Sequence, residues 1–132
     1  MKVVDASVLV EFLAEGEHHG AAELAIRSER WLWVPTLIDA EVGQALRRQV
    51  RKEEITPLVA SRAFADLSRL PLQRIPPDAL IERAWQLREN VTFYDALYVA
   101  LAEELGVPLL TLDRHLARAP GLAAKIELIA PV

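Results

Sequence analysis

Residues 91–113 read VTFYDALYVALAEELGVPLLTLD, and this stretch limits the fold of the 132-residue chain most tightly. From Asp95 to Leu105 nearly every side chain is apolar, and a helix apolar on almost all sides is an interior helix. Gly106 and Pro108 break it. Val107 to Leu112 then reads as a central strand, because a short apolar run bounded by Pro suits a fully buried position. Asp95 opens the helix and Asp113 closes the strand. An acid at each end of an interior segment calls for an explanation beyond packing.

The rest of the chain repeats this alternation. A first strand starts at Lys2 and runs through Val3 and Val4 to Asp5. A helix follows over Ser7 to Leu13, with Ser7 as its expected N-cap. Gly16 ends it, and Gly20 to Arg30 gives a second helix. Trp31 to Val34 is an aromatic and β-branched run stopped by Pro35, which predicts a strand. Thr36 to Lys52 is helical, and Thr56 caps a further helix with Pro57 at its first position, extending to about Leu70. Pro71 to Ile75 forms a third strand and Pro76-Pro77 a turn. Asp78 to about Glu89 is helical. A short helix around His115, a turn at Pro120-Gly121 and a last strand over Ile126 to Ile129 complete the chain. Strands alternating with helices predict an α/β fold, a three-layer α/β/α sandwich around a central parallel sheet, formed as a single domain over residues 1–132.

Composition excludes several functions. The chain has no cysteine, so disulfide scaffolds, thiolate metal sites and cysteine nucleophiles are ruled out. A strand beginning at Lys2 leaves no room for a signal peptide, and no apolar run approaches the roughly 20 residues that span a bilayer. A soluble cytoplasmic protein without a membrane partner is expected. The net charge of −4 counts mildly against a nucleic-acid partner. An acidic cluster that binds Mg²⁺ would give the same balance.

In an open parallel sheet, ligands collect outside the carboxyl ends of the strands, where the strand order reverses. Asp5 and Asp113 each stand where a strand ends. Asp95 lies in the first turn of a helix, and Glu41 lies one turn into the helix that follows the second strand. Four acids from four distant stretches can therefore meet at one sheet edge, the oxygen-rich arrangement that Mg²⁺ or Mn²⁺ requires. Each acid also has a plain structural reading. Asp5 and Asp113 can cap the helices after them, Asp95 completes a capping box with Thr92, and Glu41 can be a solvated helix acid. The metal reading rests on all four together.

The runs VVDASVLVEFL, PTLIDAEVGQALRR, TFYDALYVALAEELGVPLLTLD and the RHL that follows closely resemble PIN-domain ribonucleases, in particular the VapC toxins of toxin–antitoxin pairs. The resemblance covers essentially the whole chain. It implies that Asp5, Glu41, Asp95 and Asp113 are the catalytic and metal-binding acids. Some family members carry a further acid or Asn just after the last Asp, where this chain has Arg114, His115 and Leu116. Only a four-acid site is carried over. The resemblance further implies a Mg²⁺-dependent endoribonuclease (Mn²⁺ substituting) that cuts structured RNA such as tRNA or rRNA. A VapB-type antitoxin and a homodimer come with it.

The chemistry expected of such a site is general. A cation held by carboxylates makes water more acidic and offsets charge on the scissile phosphate, and in-line attack needs no protein nucleophile. Ser7 and Thr111 are candidates to hydrogen-bond the carboxylates or water, beside their plain readings as a cap and a strand threonine. Arg47, Arg48, Arg51 and Lys52 share a helix face next to Glu41 and are candidates to meet RNA phosphates, or else form a solvated face. Tyr94 and Tyr98 read as core or dimer-contact aromatics. His18, His19 and His115 lack zinc-site spacing. Two other functions stay open: a same-fold nuclease acting in RNA processing or on DNA without an antitoxin, and a receiver-like Mg²⁺-binding signalling module.

Overall fold

The computed structural model describes residues 1–129. Five short strands form one parallel sheet in the order β3-β2-β1-β4-β5: β1 (Lys2–Val4), β2 (Leu32–Pro35), β3 (Leu72–Ile75), β4 (Leu109–Thr111) and β5 (Ile126–Leu128). The chain builds outward from β1 through β2 to β3. It then crosses back to place β4 on the other side of β1. The order therefore reverses beside β1, and the crevice at the carboxyl ends of β1 and β4 is the switch point of the sheet.

Right-handed crossovers decide which face each helix covers. Helices α1 (Ala6–Leu13), α2 (His19–Arg27), α3 (Ile38–Arg51) and α4 (Pro57–Asp66) connect strands added in one direction, and they pack against one another. Helices α5 (Ile81–Gln86), α6 (Phe93–Leu105) and α7 (Arg114–Arg118) follow the reversal. Among them, α6 packs on α5 and lies against β1, β2 and β4. The expected three-layer α/β/α architecture is the one observed.

Helix α6 is the interior element that its composition demanded. Seven consecutive residues, Ala96 to Ala102, are buried. The Thr92 hydroxyl accepts the Asp95 backbone N–H at 3.2 Å and caps its start. Gly106 ends it in the left-handed conformation (φ 66°), which lacks a Cβ penalty only for glycine.

The structure corrects several boundaries. Helix α1 starts at Ala6, so Asp5 and not Ser7 holds the N-cap position, and the Asp5 side chain makes no capping bond. Ser7 lies inside the first turn because its hydroxyl is engaged elsewhere, as described below. Helix α2 ends at Arg27 and α3 begins at Ile38, two residues beyond Thr36. The segment from Asp78 to Glu89 is not one helix. Pro76 and Pro77 impose a 3-10 turn over Pro77–Ala79 before α5 begins. Likewise, α4 gives way at Leu67–Arg69 to a 3-10 turn. Among the described residues, no helix is long and apolar enough to cross a membrane.

Because α6 is the packing hub, truncating its centre should be costly. Leu101 is 1% exposed, and Leu101→Ala is expected to lower unfolding free energy in urea by about 2–5 kcal/mol. Leu24, 70% exposed on α2, is the control, and its alanine variant should melt with the wild type.

Candidate active site

Asp5 is the deepest of the four acids, a charged residue only 6% exposed at the end of a central strand. Two hydroxyls hold it there. Ser7 Oγ and Thr111 Oγ1 each donate to Asp5 Oδ2 at 2.8 Å. Each hydroxyl also accepts a backbone N–H from the turn after β4: Leu112 N–H reaches Ser7 Oγ at 3.1 Å, and Asp113 N–H reaches Thr111 Oγ1 at 3.0 Å. The ends of β1 and β4 are thereby stitched together through one carboxylate. This engagement turns Ser7 away from capping and keeps buried Thr111 satisfied.

Asp113 takes the N-cap of α7, its Oδ1 accepting from the backbone N–H groups of His115 (2.8 Å) and Leu116 (3.4 Å). The structural reading of this acid is thus correct, yet the cap also fixes its carboxylate beside Asp5. Asp95 lies in the first turn of α6 and Glu41 in the first turn of α3, both partly buried. One Glu41 oxygen, Oε1, is fully buried and has no hydrogen-bond partner. Asp39, two residues earlier, points elsewhere and forms a two-bond ion pair with Arg74 at 2.8 and 2.9 Å. It takes no part in the cluster.

The four carboxylates feel one another. Burial raises the pKa of Asp5, opposed by the Ser7 and Thr111 hydroxyls and reinforced by the Asp113 charge. Burial likewise raises Glu41, opposed by the Tyr98 phenol and reinforced by Asp5 and Asp95. Asp95 is pushed up to about 6 by burial and then by Asp5, with a smaller push from Asp113. Like charges crowded at a partly dry edge resist ionising. Among the described residues, no three acids or histidines stand in a grouping tight enough to hold a metal ion. The four acids converge without closing a cage.

A cleft of about 540 Å³ opens over this edge. Asp5, Ser7, Glu41 and Asp113 line it, together with Arg48. Asp95 and buried Thr111 stand outside its lining but contact the same network through their charge and hydrogen bond. Arg47, Arg51 and Lys52 are exposed and lie outside the lining. Helix geometry explains the difference, since Arg48 stands seven residues beyond Glu41, two turns along the same face. Sequence reasoning missed Glu11, His18, Gln49 and Arg114, which also line the cleft. Glu11 was legible in principle, four residues after Ser7 on one helix face. Its carboxylate accepts the His18 backbone N–H, so it braces the turn into α2.

Residues 2–122 match the PIN domain family. Over 131 residues the chain is 50% identical to Ribonuclease VapC1 of Mycobacterium tuberculosis, covering 96% of each chain. The chain is a PIN-domain ribonuclease of the VapC family. The crystal structure of PAE2754 from Pyrobaculum aerophilum shares this fold with a TM-score of 0.69 at 29% identity, over 96% of this chain and 83% of that one. A toxin–antitoxin complex from Klebsiella pneumoniae matches the fold with a TM-score of 0.69 at 20% identity, over the whole of both chains. Membership of the VapC family removes the receiver-like reading. The third strand agrees, because it ends at Ile75 and is followed by Pro76 and Pro77, with no acid to accept phosphate.

The raised carboxyl of Asp95 links this site to stability. A folded-state value of about 6 against an ordinary 3.8 means that its contribution is present below pH 4 and lost as pH rises through 6. In chelator, wild-type protein should therefore melt at lower temperature at pH 7.5 than at pH 5. Asp95→Asn should melt above wild type at pH 7.5 and level with it near pH 4. Thermal melts across that range read the difference, which is at most about 3 kcal/mol.

Proposed function

We propose that this chain is a Mg²⁺-dependent endoribonuclease, with Mn²⁺ able to substitute, in which Asp5, Glu41, Asp95 and Asp113 hold the cation. The observation that carries this reading is the approach of four carboxylates to one another at the switch point, close enough for each of Asp5, Glu41 and Asp95 to feel its neighbours' charge. The donor set is all oxygen, which suits a hard cation. An open set of carboxylates suits Mg²⁺ in particular, because it dehydrates reluctantly and keeps several waters.

When bound, the cation supplies a more acidic water and offsets charge at the scissile phosphate. The chain's own residues do the remaining work. Ser7 and Thr111 fix the orientation of Asp5 by occupying Oδ2, and the α7 cap fixes Asp113. Arg48 and Arg114, on different elements, line the cleft and form no ion pair among the described residues. In this reading they meet RNA phosphates, a contact that guanidinium groups suit. Arg47, Arg51 and Lys52 extend the same positive field along α3 and steer RNA over longer range.

The biological reading is the toxin of a type II toxin–antitoxin pair. Its substrate would be a structured cellular RNA such as tRNA or rRNA, and its partner a VapB-type antitoxin. An antitoxin segment carrying a basic residue would complement the acidic cleft and silence it. A homodimer is part of the same proposal. Trp85, Phe93 and Tyr94 are 59%, 39% and 64% exposed on neighbouring helices, and Trp85 meets Phe93 edge-on at 6.5 Å. An aromatic face of this kind is what a second copy would cover.

Cleavage of total cellular RNA by purified, antitoxin-free protein tests the proposal. Discrete cuts are expected with Mg²⁺ or Mn²⁺ and none with chelator. The Asp5→Asn, Asp95→Asn double variant should lose at least 100-fold in rate. Sedimentation of the same preparation should give the mass of a dimer. Intact RNA under every condition, from folded protein that binds the cation, would redirect the search to DNA substrates.

A further inference from the structure

Tyr98 belongs to the apolar run of α6, and nothing in its sequence context asks for a hydroxyl. The residue is 0% exposed, among the largest fully buried side chains of the protein. Its phenol oxygen has no hydrogen-bond partner among the described residues. Phenylalanine would fill the same space without burying a polar atom, and buried polar atoms are as a rule satisfied.

The position of that hydroxyl is informative. Tyr98 follows Asp95 by three residues, so both project from one face of α6, with the phenol one turn beneath the acid cluster. The phenol faces Glu41 without meeting hydrogen-bond geometry. The two groups nonetheless act on each other. The phenol and the Glu41 carboxylate are near enough for each to feel the other. A buried donor with no acceptor thus lies beside a buried acceptor, Glu41 Oε1, with no donor.

We infer that Tyr98 is a positioning residue for Glu41: its phenol O–H engages one carboxylate oxygen and turns the other toward the cation. This rests on the reading of Glu41 as a metal ligand. Without the hydroxyl, Glu41 would swing among rotamers in a half-buried site crowded by Asp5 and Asp95. Partners that orient a metal ligand commonly govern affinity about 10- to 100-fold when removed. Tyr98 does not touch the reacting atoms.

Tyr98→Phe removes one oxygen and keeps the ring. In chelator it should melt at or above the wild-type temperature, because an unpartnered hydroxyl leaves the core. Calorimetric titration with Mn²⁺ alone should show affinity about 10-fold weaker. In a Glu41→Gln background, the same Tyr98→Phe change should add no further loss, since its effect passes through Glu41. Wild-type Mn²⁺ affinity in Tyr98→Phe, or losses that multiply in the double variant, would overturn the inference. A second readout needs no Tyr98 variant. In the Mg²⁺-loaded wild type, NMR should find a slowly exchanging tyrosine hydroxyl proton that disappears in Glu41→Ala. A freely exchanging hydroxyl would overturn the inference and leave the metal reading intact. Wild-type protein that binds no divalent cation would overturn both.

Discussion

A carboxylate held almost dry at the end of the central strand is the constraint on which the rest of this structure turns. Asp5 remains there because two hydroxyls, from Ser7 and Thr111, both donate to one of its oxygens. The same hydroxyls accept the backbone N–H groups that lead into α7. One acid therefore fixes the relative height of β1 and β4 and the station of Asp113. A buried charge is tolerated only when it is paired or well hydrogen-bonded. Here the bonding partners are also what assemble the site.

The cost of the arrangement is electrostatic. Asp5, Glu41 and Asp95 all have their pKa values raised, with burial as the leading cause and neighbouring carboxylates adding to it. Such crowding contributes no stability, and the proposed cation site gives it a purpose. A divalent cation bound among these carboxylates, as proposed, would relieve the repulsion. The cleft above continues the same logic, with acids at its floor and Arg48 and Arg114 in its walls. A cation at the floor and guanidinium groups in the walls together suit a phosphate backbone, despite the acidic balance of the whole chain.

Much of this was legible in the sequence because the signals were local. The all-round apolar character of α6 predicted an interior helix, and alternating short runs predicted the parallel sheet. The four proposed acids stood out because each sits near an element end, where a polar residue has positional meaning. What escaped were facts set by tertiary geometry. Ser7 looks like an N-cap, and only the return of β4 beside β1 shows that its hydroxyl is engaged with Asp5 and Leu112. Pro76 and Pro77 announce a turn but not that a 3-10 segment would follow. Of Arg47, Arg48, Arg51 and Lys52, only Arg48 lines the cleft. Tyr98 reads as an ordinary core aromatic until its phenol is seen to lie beside Glu41.

The central claim is that the four carboxylates exist to hold one cation site. Diffraction from crystals soaked in Mn²⁺, recorded at the manganese absorption edge, tests it most directly. The account predicts a strong anomalous peak at the carboxyl ends of β1 and β4, coordinated by oxygens of Asp5, Glu41, Asp95 and Asp113. Manganese found only elsewhere, with these carboxyl groups bonded to one another as neutral acids, would contradict it.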